Sequence, residues 1–437
     1  MKKLLTLLVA AIMAVACCFG LVGCGDEETS VKKYEGIKKV SNMSDIQIGF
    51  ICLHNDESTY DANFIDAIKE TATALNIPQA NIHFKTNIPE SSKCYDAAVE
   101  LVENDKCNVV FADSFGHEAY LLQAANEYPD VQFCHATGTT AHTATRGNFH
   151  NAFASIYEGR YLAGYAAGLK LNAMYEDDNT IASNGVIKVG YVGAFTYAEV
   201  ISGYTSWYLG VKAGFGEVSG VEIKMDVQFT GNWYDYELEY AAATALIDGG
   251  CVLISQHADS LGSPTACAAK GVPNVSYNKD TTDMAPGNAD IAATYITASR
   301  INWVPYFTYV LESINQGVEI AYDYTGTIAN GAVEIISYGD AAVAGTEDAV
   351  NAVKAQIISG ALKIFDVSKF TVGGKTLTSY RADVDTDSAY TPDTEVVFAD
   401  SYAADAVVYF HESATGFRSA PYFDITIDGI NLVNTKF

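Results

Sequence analysis

Positive charge is scarce in this chain. Arginine occurs five times in 437 residues, and Lys and Arg together number 26 against 53 Asp and Glu, a formal net charge of -27. A nucleic-acid surface has to neutralise phosphates with basic side chains, so nucleic acid is excluded as a partner. Long apolar runs are also missing beyond Leu4–Val22, which excludes a multispanning membrane protein. H-E-x-x-H, G-x-S-x-G and G-x-G-x-x-G are all absent, so the commonest metalloprotease, hydrolase and dinucleotide readings have no support. Gly373-Gly374-Lys375-Thr376 resembles the end of a P-loop, but Lys369 stands where its first Gly belongs and the flanks read as a hairpin. Asp383, Asp385 and Asp387 have calcium-loop spacing, yet Ser388 and Thr394 replace the Gly and Glu such a loop needs. These residues read as a solvated acidic loop. No cofactor motif is left standing.

The N-terminus fixes the expected compartment. Lys2 and Lys3 precede the apolar stretch, which ends in Leu21-Val22-Gly23-Cys24 before Gly25-Asp26-Glu27-Glu28. This order is that of a secretory signal, and the small residues before a Cys resemble the lipobox of bacterial lipoproteins. By that resemblance residues 1–23 are removed and Cys24 carries lipid, anchoring the protein at the extracytoplasmic face of the cell membrane. Residues 24–45 are polar and lack an apolar period, and are expected to form a flexible tether. Cys52, Cys94, Cys107, Cys134, Cys251 and Cys267 remain. In an oxidising compartment they can pair, but several sit in or beside apolar runs, where small buried thiols serve as well.

The length favours two or three domains. From residue 46 short apolar runs alternate with stretches of helical period. Ile46–Leu53, Asn81–Lys85, Asn108–Ala112 and Val131–His135 read as strands, with helices between them and a long helix at Tyr157–Met174. The theme restarts at Ile187–Val192, Glu222–Phe229, Val252–Gln256 and Pro273–Tyr277. Such alternation means parallel sheets with right-handed crossovers. The fold class expected is α/β with two lobes. Lobe 1 spans 46–175 with parts of about 300–322, and lobe 2 spans 186–298 with parts of about 325–345. Chain crossings are expected near 175–186, 296–302 and 322–332, and 346–437 forms a less regular C-terminal extension.

Ligands of open parallel sheets bind beyond the carboxyl ends of the strands. The segments found there include His54–Asp61, Asp113–His117, Ala136–Thr139, Gly193–Tyr197, Thr230–Asp235, His257–Ser260 and Asn278–Asp280. They are rich in aromatics, carboxylates, Ser/Thr and Gly, and Lys279 is their only Lys or Arg. A polyphosphate needs more cations or a Gly-rich cradle. Tyr60, Phe115, Phe195, Tyr197, Trp233 and Tyr234 instead suit a flat, neutral, nitrogen-rich ring with Asp or Asn at its edge.

Several of these segments resemble the basic membrane protein family of ABC-transporter substrate-binding lipoproteins. The matches are Phe111-Ala112-Asp113-Ser114-Phe115-Gly116, the run Tyr128–Gly138, Ile156-Tyr157-Glu158-Gly159-Arg160-Tyr161-Leu162-Ala163-Gly164, the run Ile187–Phe195, Asn232-Trp233-Tyr234-Asp235, Gln256-His257-Ala258-Asp259-Ser260 and Asn302-Trp303-Val304-Pro305-Tyr306. They cover about 46–316 in consistent order. The resemblance implies a type I periplasmic-binding-protein fold that closes on a purine base or nucleoside, and an ABC permease as partner. It implies Tyr60 and Phe195 as stacking residues, Phe115 and Trp233 as pocket walls, Asp259 as an acceptor for ribose hydroxyls, Lys279 near a pocket lysine of the family and Asn278 near a polar neighbour. The first loop departs from the family pattern, because Asn is displaced to Asn63. Whether Tyr60 or Phe64 stacks, and whether Asn63 or Asp61 reads the base edge, stays open. A binding lipoprotein for a sugar is the alternative. An enzyme such as a nucleoside hydrolase would need an activated water or a phosphate site, and neither is legible.

Overall fold

The computed structural model describes residues 33–436 except 145, 386, 388 and 401–405. The signal segment and Cys24 lie outside the described residues.

Two sheets carry the architecture. The first comprises β1 (Ile48–Ile51), β2 (Ile82–Lys85), β3 (Val109–Ala112), β4 (Gln132–Ala136), β5 (Phe149–Ala154) and, from much later in the chain, β11 (Asp323–Gly326), in the order β11-β5-β4-β3-β1-β2. All its pairings are parallel. The second is built from β6 (Val186–Gly193), β7 (Glu222–Phe229), β8 (Cys251–Gln256), β9 (Asn274–Tyr277), β10 (Tyr295–Ile301) and β12 (Val333–Tyr338), in the order β12-β10-β9-β8-β6-β7. Only its β10–β12 pair is antiparallel. Strands buried on both faces read as continuous apolar runs, as Ile48–Ile51 does with four buried residues.

The helices of lobe 1 are α1 (Thr59–Ala74), α2 (Ser92–Glu103), α3 (Glu118–Glu127) and α4 (Ala141–Ala144). Next come α5 (Ile156–Asp177), α6 (Ala198–Phe215), α7 (Tyr236–Asp248) and α8 (Gly262–Lys270). Short α9 (Thr281–Met284) and α10 (Ala289–Thr294) precede α11 (Val304–Gln316) and α12 (Thr346–Ile358). Side-chain caps set the helix starts that face the cleft. Ser58 accepts from the Asp61 amide before α1, and Asp235 from the Leu238 amide before α7.

The long helix α5 was expected in lobe 1, but it packs on α6, β10 and β12 of lobe 2. Glycines explain this choice. A Cβ on Gly164 would lie 2.1 Å from the Trp207 carbonyl oxygen, and one on Gly210 2.1 Å from that of Tyr161. Only bare backbones approach so closely. The first crossing therefore falls at Ser155 rather than at 175–186. The second lies between β10 and α11, and the third between β11 and β12.

The tether expectation is also corrected in part. Ile37, Val40 and Met43 pack against the core, and the Val40 amide donates to the Ile314 carbonyl at 3.2 Å. Isolated apolar residues without a period dock here on α11 as an extended strip.

The C-terminal extension joins both lobes rather than standing apart. Small pairs β13 (Arg381–Ala382) with β14 (Thr394–Glu395), and β15 (Val397–Ala399) with β16 (Val408–Phe410), precede β17 (Ile430–Leu432). Strand β17 pairs in parallel with β7 and so completes the second sheet. Upstream, the Ser419 amide donates to Asp323 Oδ2 at 2.9 Å, and Asn151 Nδ2 donates to Ser419 Oγ at 3.0 Å. Both partners belong to lobe 1. The six cysteines Cys52, Cys94, Cys107, Cys134, Cys251 and Cys267 are buried and unpaired, so the thiol reading holds for the described residues. No helix among the described residues is long and apolar enough to cross a membrane.

Candidate functional site

The strand orders reverse between β1 and β3 in one sheet and between β6 and β8 in the other. Loops that leave such a switch point diverge and open a crevice. A narrow cavity of about 30 Å³ lies there. Lobe 1 contributes His54, Tyr60, Asp61, Asp113, Phe115 and Thr137 to its wall, and lobe 2 contributes Glu199, Trp233, His257, Asp259 and Tyr277. Four carboxylates and no Lys or Arg line it among the described residues.

The lobes touch across this cavity. The Thr59 amide donates to the Asp259 carbonyl at 2.9 Å. The Phe115 and Tyr197 rings lie 5.5 Å apart, and those of His54 and Tyr234 5.4 Å apart. Lys279 Nζ pairs with Asp66 of α1 at 2.6 Å. Contacts of this kind define a closed cleft.

On the lobe 1 wall, Asp113 is fully buried. Its Oδ1 accepts from the Leu53 amide at 3.1 Å, while Oδ2 has no protein partner. Burial, then the nearby Asp61 charge, pushes its carboxyl well above the usual range. Asp61 goes the other way. Burial opposes its charge, but hydrogen bonds from His54 and Ser58 outweigh burial and lower its pKa. Its oxygens accept from the His54 amide at 2.8 Å and from Ser58 Oγ at 2.6 Å. One acid thus tends to hold a proton beside one that is ionised. Cys52, Asp61 and Asp113 bring potential metal-ligand atoms within 4.8 Å of one another. Burial raises the Cys52 thiol and the Asp113 acid. Tyr60 donates its hydroxyl to the Asp113 carbonyl at 2.9 Å.

On the lobe 2 wall the rings form a stack. Phe195 and Tyr197 are 5.3 Å apart, and Phe195 meets Trp233 edge-on at 5.0 Å. Asp259 is buried, and its carboxyl is raised by burial and then by the charge of Glu239. The loop that carries it is held from behind. The Ser260 amide donates to both Glu239 oxygens at 3.1 Å, and Gln256 Nε2 donates to the Ala258 carbonyl at 2.7 Å.

Of the residues expected from sequence, Tyr60, Phe115, Trp233 and Asp259 line this cavity. Phe195 does not; it backs Trp233 from the side. Asn63 turns away and donates to the Ile301 carbonyl at 2.8 Å, which ties α1 to the second crossing. Phe64 stacks on Trp303 at 4.3 Å within the core, so the wall positions fall to Tyr60 and Asp61. Asn278 is buried outside the cavity lining, with both polar side-chain atoms unpartnered. Lys279 reaches across to Asp66 at the rim instead of lining the cavity. Its short distance to a carboxylate on the facing lobe explains the departure.

Sequence reasoning passed over Asp113, Thr137, His257 and Tyr277 as individual residues, although each ends or follows a strand. Glu199 was missed for a different reason. An acidic residue in the first turn of a helix reads as a favourable charge at the macrodipole, and nothing in its neighbours marks it as a cavity residue.

Residues 49–367 match the family model described as ABC transporter substrate-binding protein, PnrA-like. The chain belongs to this family. The match runs past residue 340 and takes in α12, leaving residues 368–437, most of the extension, outside. Among its relatives is a Haloferax volcanii protein named as a putative ABC transporter glucose-binding protein, 30% identical over 263 residues, 60% of each chain. A purine-binding protein of Brucella abortus is 28% identical over 241 residues, 55% of this chain and 60% of the relative. The chain thus spans about 60% of the length of these two relatives. A solved ABC-transporter solute-binding protein from Aeropyrum pernix K1 superposes with a TM-score of 0.59 at 15% identity, over 73% of this chain and 93% of that one. That likeness bears on the fold alone. PnrA-like proteins are solute-binding proteins rather than enzymes.

Proposed function

We propose that this chain is the capture component of an ABC importer and closes on a purine base or nucleoside. The observation that carries this reading is a cleft walled by rings and carboxylates from both lobes with no Lys or Arg on its wall among the described residues. Tyr60, Phe115 and Trp233 offer faces and edges to a planar ring. Stacking contributes about 1–3 kcal/mol per base, and a hydrogen bond to an ionised carboxylate about 1.5–3 kcal/mol. Two rings and two such bonds amount to about 5–12 kcal/mol before the cost of association, a range that brackets the roughly 8 kcal/mol of a micromolar complex. The purine-binding relative from Brucella supports the choice of ligand class.

A sugar is the second reading. The Haloferax relative is named for glucose, and carboxylates accept sugar hydroxyls as readily as ring N–H groups. Calorimetry with adenine, guanine, adenosine, guanosine and glucose separates the two readings. Binding of a purine at micromolar affinity or tighter is expected, and glucose binding in its place would replace the first reading with the second. Attachment through Cys24 belongs to the same proposal. Cys24→Ser should release the protein from the host membrane fraction, and a Cys24→Ser protein that stays with the membrane counts against the anchor.

A further inference from the structure

The cavity wall in lobe 2 rests on a buried cation that the capture reading has not used. Arg160 is on α5, in the second turn after the first crossing, and is fully buried. Its Nη1 donates to the Gln256 carbonyl at 2.9 Å, and its Nη2 lies 3.2 Å from His257 Nδ1. The guanidinium carbon stands 3.4 Å over the Tyr277 ring. Tyr277 and His257 both line the cavity, so Arg160 sits directly behind them.

A guanidinium has donors only and keeps its proton. His257 Nδ1 must therefore present its lone pair to Arg160. The proton of the neutral ring is then on Nε2, which faces Glu199 Oε1 at 3.4 Å. A carboxylate can accept several hydrogen bonds, so Glu199 keeps capacity for a ligand donor. We propose that Arg160 is a positioning residue: by occupying His257 Nδ1 it fixes the Nε2–H tautomer, which holds Glu199 at the cavity wall as an acceptor for a ligand N–H or O–H. This rests on the capture reading for its ligand, but not for its tautomer. The groups facing His257 are Arg160 from α5, Tyr191 from β6 (hydroxyl 3.5 Å from Nδ1), Glu199 from α6 and Tyr277 from β9, and Asp259 of its own loop lines the same cavity. Burial and then the Arg160 charge lower the pKa of His257, against the opposing pull of Glu199. Its ring should stay neutral across the physiological range.

Two measurements test this on the whole protein. Nitrogen-15 NMR of labelled histidine, with His257 assigned through His257→Gln, needs no ligand. It should show a neutral His257 protonated at Nε2 at neutral pH. An Nδ1–H tautomer there overturns the proposal whatever the ligand proves to be. The second is a double-mutant cycle by calorimetry with adenine and adenosine. Glu199→Gln should weaken binding about tenfold, within the range of one charge-assisted hydrogen bond. Arg160→Met should weaken it by a similar factor and add little on top of Glu199→Gln. Independent, multiplying losses would show a merely structural role and overturn the relay. Should Arg160→Met fail to fold, His257→Phe takes its place in the cycle with the same expectation. If neither probe binds the unaltered protein, the capture reading fails while the NMR result still decides the tautomer.

Discussion

In lobe 1 the cleft wall is braced by its own loop. Asp61 is bonded to Ser58 and the His54 amide within one turn, and Asp113 to the Leu53 amide of the neighbouring loop. In lobe 2 the wall is braced from elsewhere in the fold. Glu239 of α7 holds the Ser260 amide, Arg160 of α5 holds Gln256 and His257, and β17 closes the outer edge of the sheet. The same strand order thus supports two kinds of wall, one local and one built in layers. The layered wall depends on segments far apart in sequence, so changes distant from the cavity should be felt mainly in lobe 2.

The rings give the sharpest test of this contrast. Trp233→Ala and Tyr60→Ala should each weaken purine binding by about 5- to 100-fold, the range of one stacking contact. Phe195→Ala should cost less than Trp233→Ala, because Phe195 packs on Trp233 and Tyr197 and Trp233 lines the cavity. Equal losses at Phe195 and Trp233, measured by calorimetry, would return Phe195 to the wall.

The acids come next. Asp61→Asn removes an ionised acceptor and is expected to destabilise the first loop by about 1–3 kcal/mol in denaturant titration. Asp113→Asn replaces an acid that already tends to hold its proton and should cost less. The signs with pH differ as well. Asp61, with its pKa lowered in the folded protein, contributes stability above the ordinary carboxylate pKa that is lost as pH falls through its folded value. Asp113, raised, does the reverse. A larger loss at Asp113 than at Asp61 would contradict the assignment of the proton.

Buried carboxylates that reinforce lobe 2 set a third expectation. Burial raises Glu158 to about 7, Glu239 to about 7 and Glu412 to about 8. A raised acid favours the protonated folded state, so stability should fall as pH rises from the ordinary Glu value of about 4.5 toward these values. Melting followed by circular dichroism should give a lower midpoint at pH 8 than at pH 5, and Glu412→Gln should flatten part of that slope. A midpoint that climbs over this interval would contradict it.

The smallest effect is expected at the rim. The Lys279–Asp66 pair is partly exposed, and such pairs are worth about 0–1 kcal/mol. Lys279→Ala should therefore change affinity by less than about fivefold and mainly at low salt.

Much of this arrangement was legible in the sequence. Apolar runs such as Ile187–Val192 and the loops that follow them marked both sheets and the carboxyl-end rule marked the cleft. What escaped was set by tertiary contacts. The α5 helix shows no clear amphipathic face, and tertiary contacts such as those at Gly164 and Gly210 assign it to lobe 2. The strand β5 reads Phe149-His150-Asn151-Ala152-Phe153-Ala154, where buried His and Asn disguise an inner strand. His150 is satisfied by the Ala321 carbonyl and Gln132, and Asn151 by Asp323 and Ser419, all distant in sequence. The local spacing around Tyr60 left Phe64 equally eligible until Trp303 was seen to occupy its face.

One comparison reaches the centre of the account: calorimetry of adenosine against its 5′-monophosphate on the unaltered protein. A cleft that grips with rings and carboxylates should bind the nucleoside at micromolar affinity or better and reject the charged phosphate by at least about tenfold. Equal or tighter binding of the monophosphate would contradict it.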